Sequence, residues 1–252
     1  MPRFFVRSNQ IQDGIVSIMG DDAHHISRSL RMATGEHITV CDMQRTEYEC
    51  ELTEFLPDEV HARVLRSYQS DTEPPFLAHV FQALPKGDKL DSIIQKSVEC
   101  GLSELTTFES ERCVVRMKEG SESKKLERRE RIALEAAKQC GRGTVPVIHP
   151  TVGFVEAVAK AKEADIALFC YEGDDTEPLA KALKRCLIQT QGNPEYIPTV
   201  SVMIGSEGGF SLSEAQYARE KGLISIGLGK RILRTETAAS FVLACLVYEF
   251  EL

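Results

Sequence analysis

Two rhythms of apolar and polar positions divide the chain. Through about residue 70 they alternate in short stretches, as in 36–41 (EHITVC), 48–52 (YECEL) and 60–64 (VHARV), set apart by Gly, Asp or Pro. Period-two alternation broken by turn residues predicts short strands with one buried face, here a small β domain closed as a barrel. One stretch departs from it: 23–32 (AHHISRSLRM) has helical spacing that puts Ile26 and Leu30 on one face. Residues 67–75 (SYQSDTEPP) are polar and end in two prolines, the composition of a linker. The expected organisation is a first domain over 1–70, a linker at 71–75 and a second domain over 76–252.

From Phe76 the rhythm lengthens. Residues 77–84 read as a strand, and Leu90, Ile93, Ile94, Ser97 and Val98 then follow i, i+3, i+4 spacing up to Gly101, a helix-ending glycine. Helices are expected over 126–140, 154–162, 178–187 and 211–221, with a last one from about Thr237. Strands are expected over 165–171, 200–204 and 223–228. Strands alternating with longer helices imply crossovers and a mostly parallel sheet, an α/β domain.

The absence of any run of 18 apolar residues and of an apolar core in the first ten residues predicts a soluble, unexported, cytoplasmic protein without membrane contact. Eight cysteines are scattered with no C-x-x-C pair or finger-like Cys/His spacing, so neither a disulfide framework nor a metal is expected. A net charge of −8 counts against nucleic acid as a partner unless basic residues gather locally. They do so between Arg112 and Arg142, where 10 basic residues, Lys118 among them, face 5 glutamates. That segment reads either as a solvated helix face with i, i+4 pairs or as a phosphate-contacting surface. Residues 1–70 hold 7 arginines, no lysine and 11 acids, so a basic feature there must be a local pair such as Arg28 and Arg31.

Two loops carry the chemistry. Residues 205–210 (GSEGGF) leave a buried strand and run into Ser211-x-x-Glu214, a capping-box start. They match neither G-x-G-x-x-G nor a Walker A sequence, so glycines at 205, 208 and 209 are read as admitting positive φ and close approach to a nucleoside, with Glu207 accepting hydrogen bonds. Residues 228–239 (LGKRILRTETAA) also leave a strand and enter a helix, with Thr235 as its expected N-cap. Loops from neighbouring strand ends make one pocket beyond the carboxyl edge of the sheet.

The pair IGSEGGFS and LGKRILRTETAA resembles the C-terminal motifs of the bacterial ribosomal RNA small-subunit methyltransferase E family, as do LPKGDKLDSIIQKSVECG at 84–101, SERC at 110–113, KQCGR at 138–142, PRFFV and HHISRSLRM near the start. Ser206 departs from the proline usual there. The resemblance implies a PUA-like RNA-binding β-barrel followed by a SPOUT-type domain, a parallel sheet whose last part forms a trefoil knot. It also implies a homodimer that methylates N3 of a uridine in 16S rRNA, as free rRNA or in the small ribosomal subunit. S-adenosyl-L-methionine would be held by three loops, through Tyr171, Glu172 and Gly173; Ile204, Gly205, Glu207, Gly208 and Gly209; and Leu228, Gly229, Ile232 and Leu233. Within that frame Arg234 is the candidate cation for the uridine anion and Glu236 the candidate proton acceptor, against the plainer reading of an Arg234 fork pairing Glu236 or a loop carbonyl and of a helix-end glutamate. Arg28, Arg31, Arg112 and Arg142 are the candidate RNA contacts, and His24 and His25 are read as non-catalytic. Two alternatives stay open: a knotted enzyme that methylates ribose 2′-oxygen or another base, and an RNA-binding assembly factor without activity.

Overall fold

The computed structural model of the chain describes residues 1–117, 120, 122–190 and 196–252. Two compact units result, residues 1–73 with 137–145, and residues 74–136 with 146–252. Lys118 of the basic segment lies outside the described residues.

In the first unit β1 (Arg3–Phe5), β2 (Ile11–Gln12), β3 (Ile15–Met19), β4 (His37–Cys41), β5 (Thr46–Phe55) and β6 (Glu59–Gln69) form one sheet in the order β1-β4-β5-β6-β3-β2. β1 runs parallel to β4 and the other pairs are antiparallel. Alternation does what the sequence predicts. Ile38, Val40, Cys50, Leu52, Val60 and Ala62 are all 0% exposed and form the core with Phe4, Val16, Ile18 and Ile26. β5 and β6 extend well past their alternating stretches, and two register shifts between them bend the ribbon.

The 23–32 stretch is helical only in part. A four-residue α1 (Asp21–His24) continues as a π-helical turn, His25–Ser29, closed by the Leu30 amide donating to the His25 carbonyl at 2.9 Å. The wider turn breaks the i, i+4 stacking, so Ile26 is buried while Leu30 is 40% exposed, although helical spacing would put them on one face. Arg28 and Arg31 are exposed, and Arg31 takes φ 53° where the helix ends. Glu73 receives Arg142 Nε at 2.9 Å and Nη2 at 2.6 Å, the Gly143 and Thr144 amides and the Thr144 hydroxyl. Both partners' side chains are only 5% exposed. Burial alone would raise the Glu73 carboxyl, but Arg142 and Thr144 hold it below its ordinary value.

The second unit is a seven-stranded, wholly parallel sheet. Its strands are β7 (Leu77–Ala83), β8 (Leu102–Glu109), β9 (Val147–Gly153), β10 (Ile166–Cys170), β11 (Glu177–Pro178), β12 (Thr199–Ile204) and β13 (Ile224–Gly227), in the order β11-β13-β10-β12-β7-β8-β9. Its helices are α2 (Lys89–Glu99), α3 (Glu122–Cys140), α4 (Phe154–Ala161), α5 (Leu179–Thr190), α6 (Leu212–Glu220) and α7 (Thr235–Phe250), with residues 137–140 of α3 belonging to the first unit. β12 lies between β10 and β7, so Val200–Ile204 is buried on both faces, as its largely apolar run requires, with Ser201 donating to the Ala161 carbonyl at 2.7 Å. β8 and β9 are not anticipated from the sequence. LSELTTFE and VIHPTVG interrupt their apolar residues with Glu104, His149 and Pro150, which hides the strand pattern. Among the described residues no helix is long and apolar enough to cross a membrane.

Candidate functional site

Beyond the carboxyl ends of β10, β12 and β13 lies an open cleft of about 840 Å³. Parallel strands deliver their following loops to one edge of a sheet, which is why ligands are held there. Three loops meet in it, and all twelve residues expected on a cofactor line its wall, together with Arg112, Arg234 and Glu236. Five cations (Lys89, Arg112, Lys230, Arg231 and Arg234) face three carboxylates (Glu172, Glu207 and Glu236), so the cleft is locally basic on an acidic chain.

The glycine-rich loop is fixed by hydrogen bonds at both ends. Thr235 Oγ1 donates to the Gly205 carbonyl at 2.7 Å and accepts from Gln82 Nε2 at 2.9 Å, joining the end of β7, the loop after β12 and the start of α7. Thr235 is thus the first residue of α7 and not its cap. Arg234 holds the N-cap position with extended φ/ψ and no side-chain capping bond. At the loop's far end Ser211 and Glu214 form the expected capping box, 3.2 and 3.0 Å. Glu214, buried, also accepts from Ser110 Oγ at 3.1 Å and the Glu111 amide at 2.8 Å. Arg112 Nη1 donates to the Gly208 carbonyl at 3.1 Å, so Ser110, Glu111 and Arg112 of SERC each bond the loop or the helix start after it, while Cys113 joins the buried core that includes Phe210.

Of the loop glycines at 205, 208 and 209, where the sequence allows a positive φ, Gly209 takes the left-handed value of 65°. Gly208 is a glycine for another reason: a Cβ there would meet Arg112 Cβ at 3.0 Å and its carbonyl oxygen at 3.3 Å. Ser206 Oγ is buried without a hydrogen-bond partner while its residue lines the cleft, a polar atom suited to a bound ligand.

Sequence reasoning misses Lys89. Its ammonium lies 2.8 Å from Glu207 Oε1 and 3.6 Å from Glu236 Oε2, and the Lys86 amide adds a 3.1 Å bond to Glu207. Burial alone would raise the Glu207 carboxyl, but Lys89 and the Lys86 amide keep it below its ordinary value, while Glu207 raises Lys89. The available signal was LPKGDKL itself, two lysines between a strand end and a helix. Glu236 Oε2 has no hydrogen-bond partner despite its burial, and Arg234 is exposed without an ion pair among the described residues, so the plain Arg234–Glu236 pair does not form. Cys170 also lines the cleft; burial pushes its thiol up to about 12, so it offers no thiolate nucleophile.

The basic segment is largely spent on structure. Arg116 binds the Ser110 and Glu111 carbonyls, Arg128 pairs with Asp91, Arg129 is buried on Glu122, Thr107 and Thr151, and Lys138 pairs with Asp22. Arg142, expected on an RNA surface, is 4% exposed and committed to Glu73, which withdraws it from that surface. Arg112, Lys124, Lys125 and Arg131 are exposed, as are Arg116 and Arg128 despite their bonds.

Residues 72–247 match the family model described as RNA methyltransferase domain, and residues 18–66 the one described as RNA methyltransferase PUA domain. The chain is 32% identical over 255 residues to the ribosomal RNA small subunit methyltransferase E of Bacillus subtilis (strain 168), covering 100% of this chain and 98% of that one. A crystal structure of a ribosomal RNA small subunit methyltransferase E from Neisseria gonorrhoeae, bound to S-adenosyl methionine, superposes with a TM-score of 0.82 at 30% identity, covering 98% of this chain and 97% of that one. A protein from Legionella pneumophila, solved in complex with the bound cofactor SAM, gives 0.83 at 26% identity, covering 98% of this chain and 96% of that one.

Proposed function

Since the chain belongs to the ribosomal RNA small subunit methyltransferase E family, we propose that it methylates N3 of one uridine in 16S rRNA, using S-adenosyl-L-methionine. The observation that carries this reading is the gathering of three loops, five cations and an unpartnered carboxylate oxygen into one cleft at the carboxyl edge of the sheet. Its volume suits a small-molecule cofactor, and Ser206 Oγ and the loop backbone supply polar partners. Bound S-adenosyl-L-methionine supplies a methyl group already activated on a sulfonium, so nothing in the transfer calls for a metal ion.

The protein's task is the nucleophile. Uridine N3 carries a proton at neutral pH and sits on the pairing edge, so the base must enter the cleft unpaired. Glu236, whose Oε2 has no hydrogen-bond partner and lies 3.6 Å from the Lys89 ammonium, accepts the proton. Arg234, exposed on the cleft wall, stabilises the charge left on the ring.

Arg28 and Arg31 of the first unit, read as a PUA-like barrel, and Arg112 of the second are the proposed RNA contacts. The strand order, with β12 between β7 and β10 and β13 beyond β10, supports a trefoil-knotted SPOUT domain. Phe241, Ala244 and Tyr248 make an exposed apolar stripe at i, i+3 and i+7 on α7, which supports a homodimer. A cytoplasmic setting follows from the rRNA substrate. Calorimetric titration with S-adenosyl-L-methionine and mass spectrometry of digested rRNA test the reading. Absence of cofactor binding would leave an RNA-binding factor, and a methyl group on ribose would make it a 2′-O-methyltransferase.

A further inference from the structure

A second chemical cluster lies on the same sheet, away from the cleft. His79, Glu104 and His149 each occupy the third position of β7, β8 and β9, toward the amino ends of those strands, whereas the cleft opens beyond carboxyl ends. Parallel register pairs His79 with Glu104 and His149 with Thr106, and Glu104 and Thr106 are two apart, so all four side chains share one face. His149 Nε2 lies 2.6 Å from Glu104 Oε2, and His79 Nδ1 lies 3.7 Å from the same oxygen. Among the described residues, this is the one group of three His, Cys, Asp or Glu whose ligating atoms all fall within 4.8 Å of one another.

The geometry points to a zinc(II)-class site formed by His79, Glu104 and His149, completed by water, which ties the edge strand β9 to β8 and β7. Ligands at about 2.1 Å from a tetrahedral ion stand roughly 3.4 Å apart, so the 3.7 Å gap, too long for a hydrogen bond, suits two ligands of one ion. The 2.6 Å gap opens to that spacing by a small turn of a carboxylate that is 45% exposed. His79 is held as a ligand histidine is held. Its Nε2 lies 2.8 Å from Thr106 Oγ1, which leaves Nδ1 toward Glu104, and its ring stacks on Phe81 at 4.0 Å and 23°. The nearby Lys160, whose charge would oppose a cation, is paired with Glu156 at 2.9 Å. Two imidazoles and one carboxylate select zinc and similar borderline ions over magnesium or calcium, which take oxygen ligands. With no part of the cleft involved, the role is structural and independent of methyl transfer.

The test is titration of chelator-treated full-length protein with zinc chloride, followed by calorimetry and thermal unfolding, and with cobalt(II), followed by visible absorption. Expected are one ion per chain, a raised melting temperature, and cobalt bands without thiolate charge transfer. Glu104→Gln and His149→Gln should lose the binding isotherm while remaining folded without metal, and Thr106→Val should weaken affinity by about 10- to 100-fold. Wild-type protein that takes up no zinc, variants that bind as wild type does, or a cobalt–thiolate spectrum that assigns the ion to cysteines would each overturn the site. Should a variant fail to fold, the wild-type cobalt spectrum still decides.

Discussion

The Lys89 ammonium sits 2.8 Å from the Glu207 carboxylate, bridging the start of α2 to the glycine-rich loop after β12, with Glu236 0.8 Å farther away at 3.6 Å. One cation thus serves two carboxylates. In Lys89→Ala Glu207 loses the ammonium that holds its carboxyl down, and the glycine-rich loop loses its tie to α2. Affinity for S-adenosyl-L-methionine in calorimetric titration should fall in Lys89→Ala and stay near wild type in Lys89→Arg. Unchanged affinity in Lys89→Ala would leave the loop held by its other bonds alone.

Arg234 should separate chemistry from scaffolding. If its guanidinium acts on the uridine anion, Arg234→Ala lowers turnover while cofactor affinity holds, because the interaction strengthens toward the transition state. Loss of one such preorganised group costs about 2.7 to 4 kcal/mol, a hundred- to a thousandfold in rate. Arg234→Lys recovers part of it, and raising the pH partly rescues Arg234→Ala because more uridine is already ionised. Rates across pH with saturating 16S substrate, alongside cofactor titration, check this; loss of cofactor binding would move Arg234 to the pocket wall.

Gly208 and Gly209 should fail differently. Gly208→Val forces the loop off Arg112, which stands 3.0 Å from the new Cβ, and should abolish cofactor binding in calorimetry while unfolding stays cooperative. Gly209→Ala meets open space but must hold φ 65°, so it should cost about 1 to 2 kcal/mol in denaturant midpoints.

The Glu73–Arg142 pair should govern acid sensitivity. Because the folded Glu73 carboxyl lies below its ordinary 4.5, its contribution is complete above about that pH and is lost as the pH falls through the folded value. Glu73→Ala should cost about 3 to 5 kcal/mol at pH 7, as breaking a buried pair does, and less in acid. Urea unfolding at pH 7 and pH 4 measures the difference.

RNA binding should distinguish exposed arginines from the buried one. Arg28→Ala, Arg31→Ala and Arg112→Ala should each reduce the salt slope by about 0.7 on a single-stranded target. Arg142→Ala should lower stability and leave the slope as it is. Three wild-type slopes from the first set would place the RNA elsewhere.

What the sequence disclosed followed from locality. Val200–Ile204, the Ser211–Glu214 cap and the alternation in β4 are short-range patterns, and each survives folding. Leu30 escaped because a π turn changes the period inside an apparently regular stretch. Thr235 escaped because its hydroxyl answers to Gly205, 30 positions away, and not to its own helix. Charge counting between 112 and 142 could not tell that Arg129 and Arg142 are buried. The three loops of the cleft were legible through motif resemblance; Lys89 and the His79, Glu104 and His149 grouping, assembled from separate strands, carry no spacing that a linear reading detects.

The two margins of the parallel sheet bear on how the protein behaves in a crowded cell. An edge strand offers unpaired amides to any other chain and so invites aggregation. β11 is only two residues long and ends in Pro178, and β9 carries Pro150 at its middle, next to the register shift opposite Thr106 and Phe108. Proline has no amide hydrogen to donate and a bulge breaks the repeat that a docking strand would follow. Both margins therefore resist templated strand addition, which keeps nascent and partly unfolded copies from joining edge to edge at high concentration.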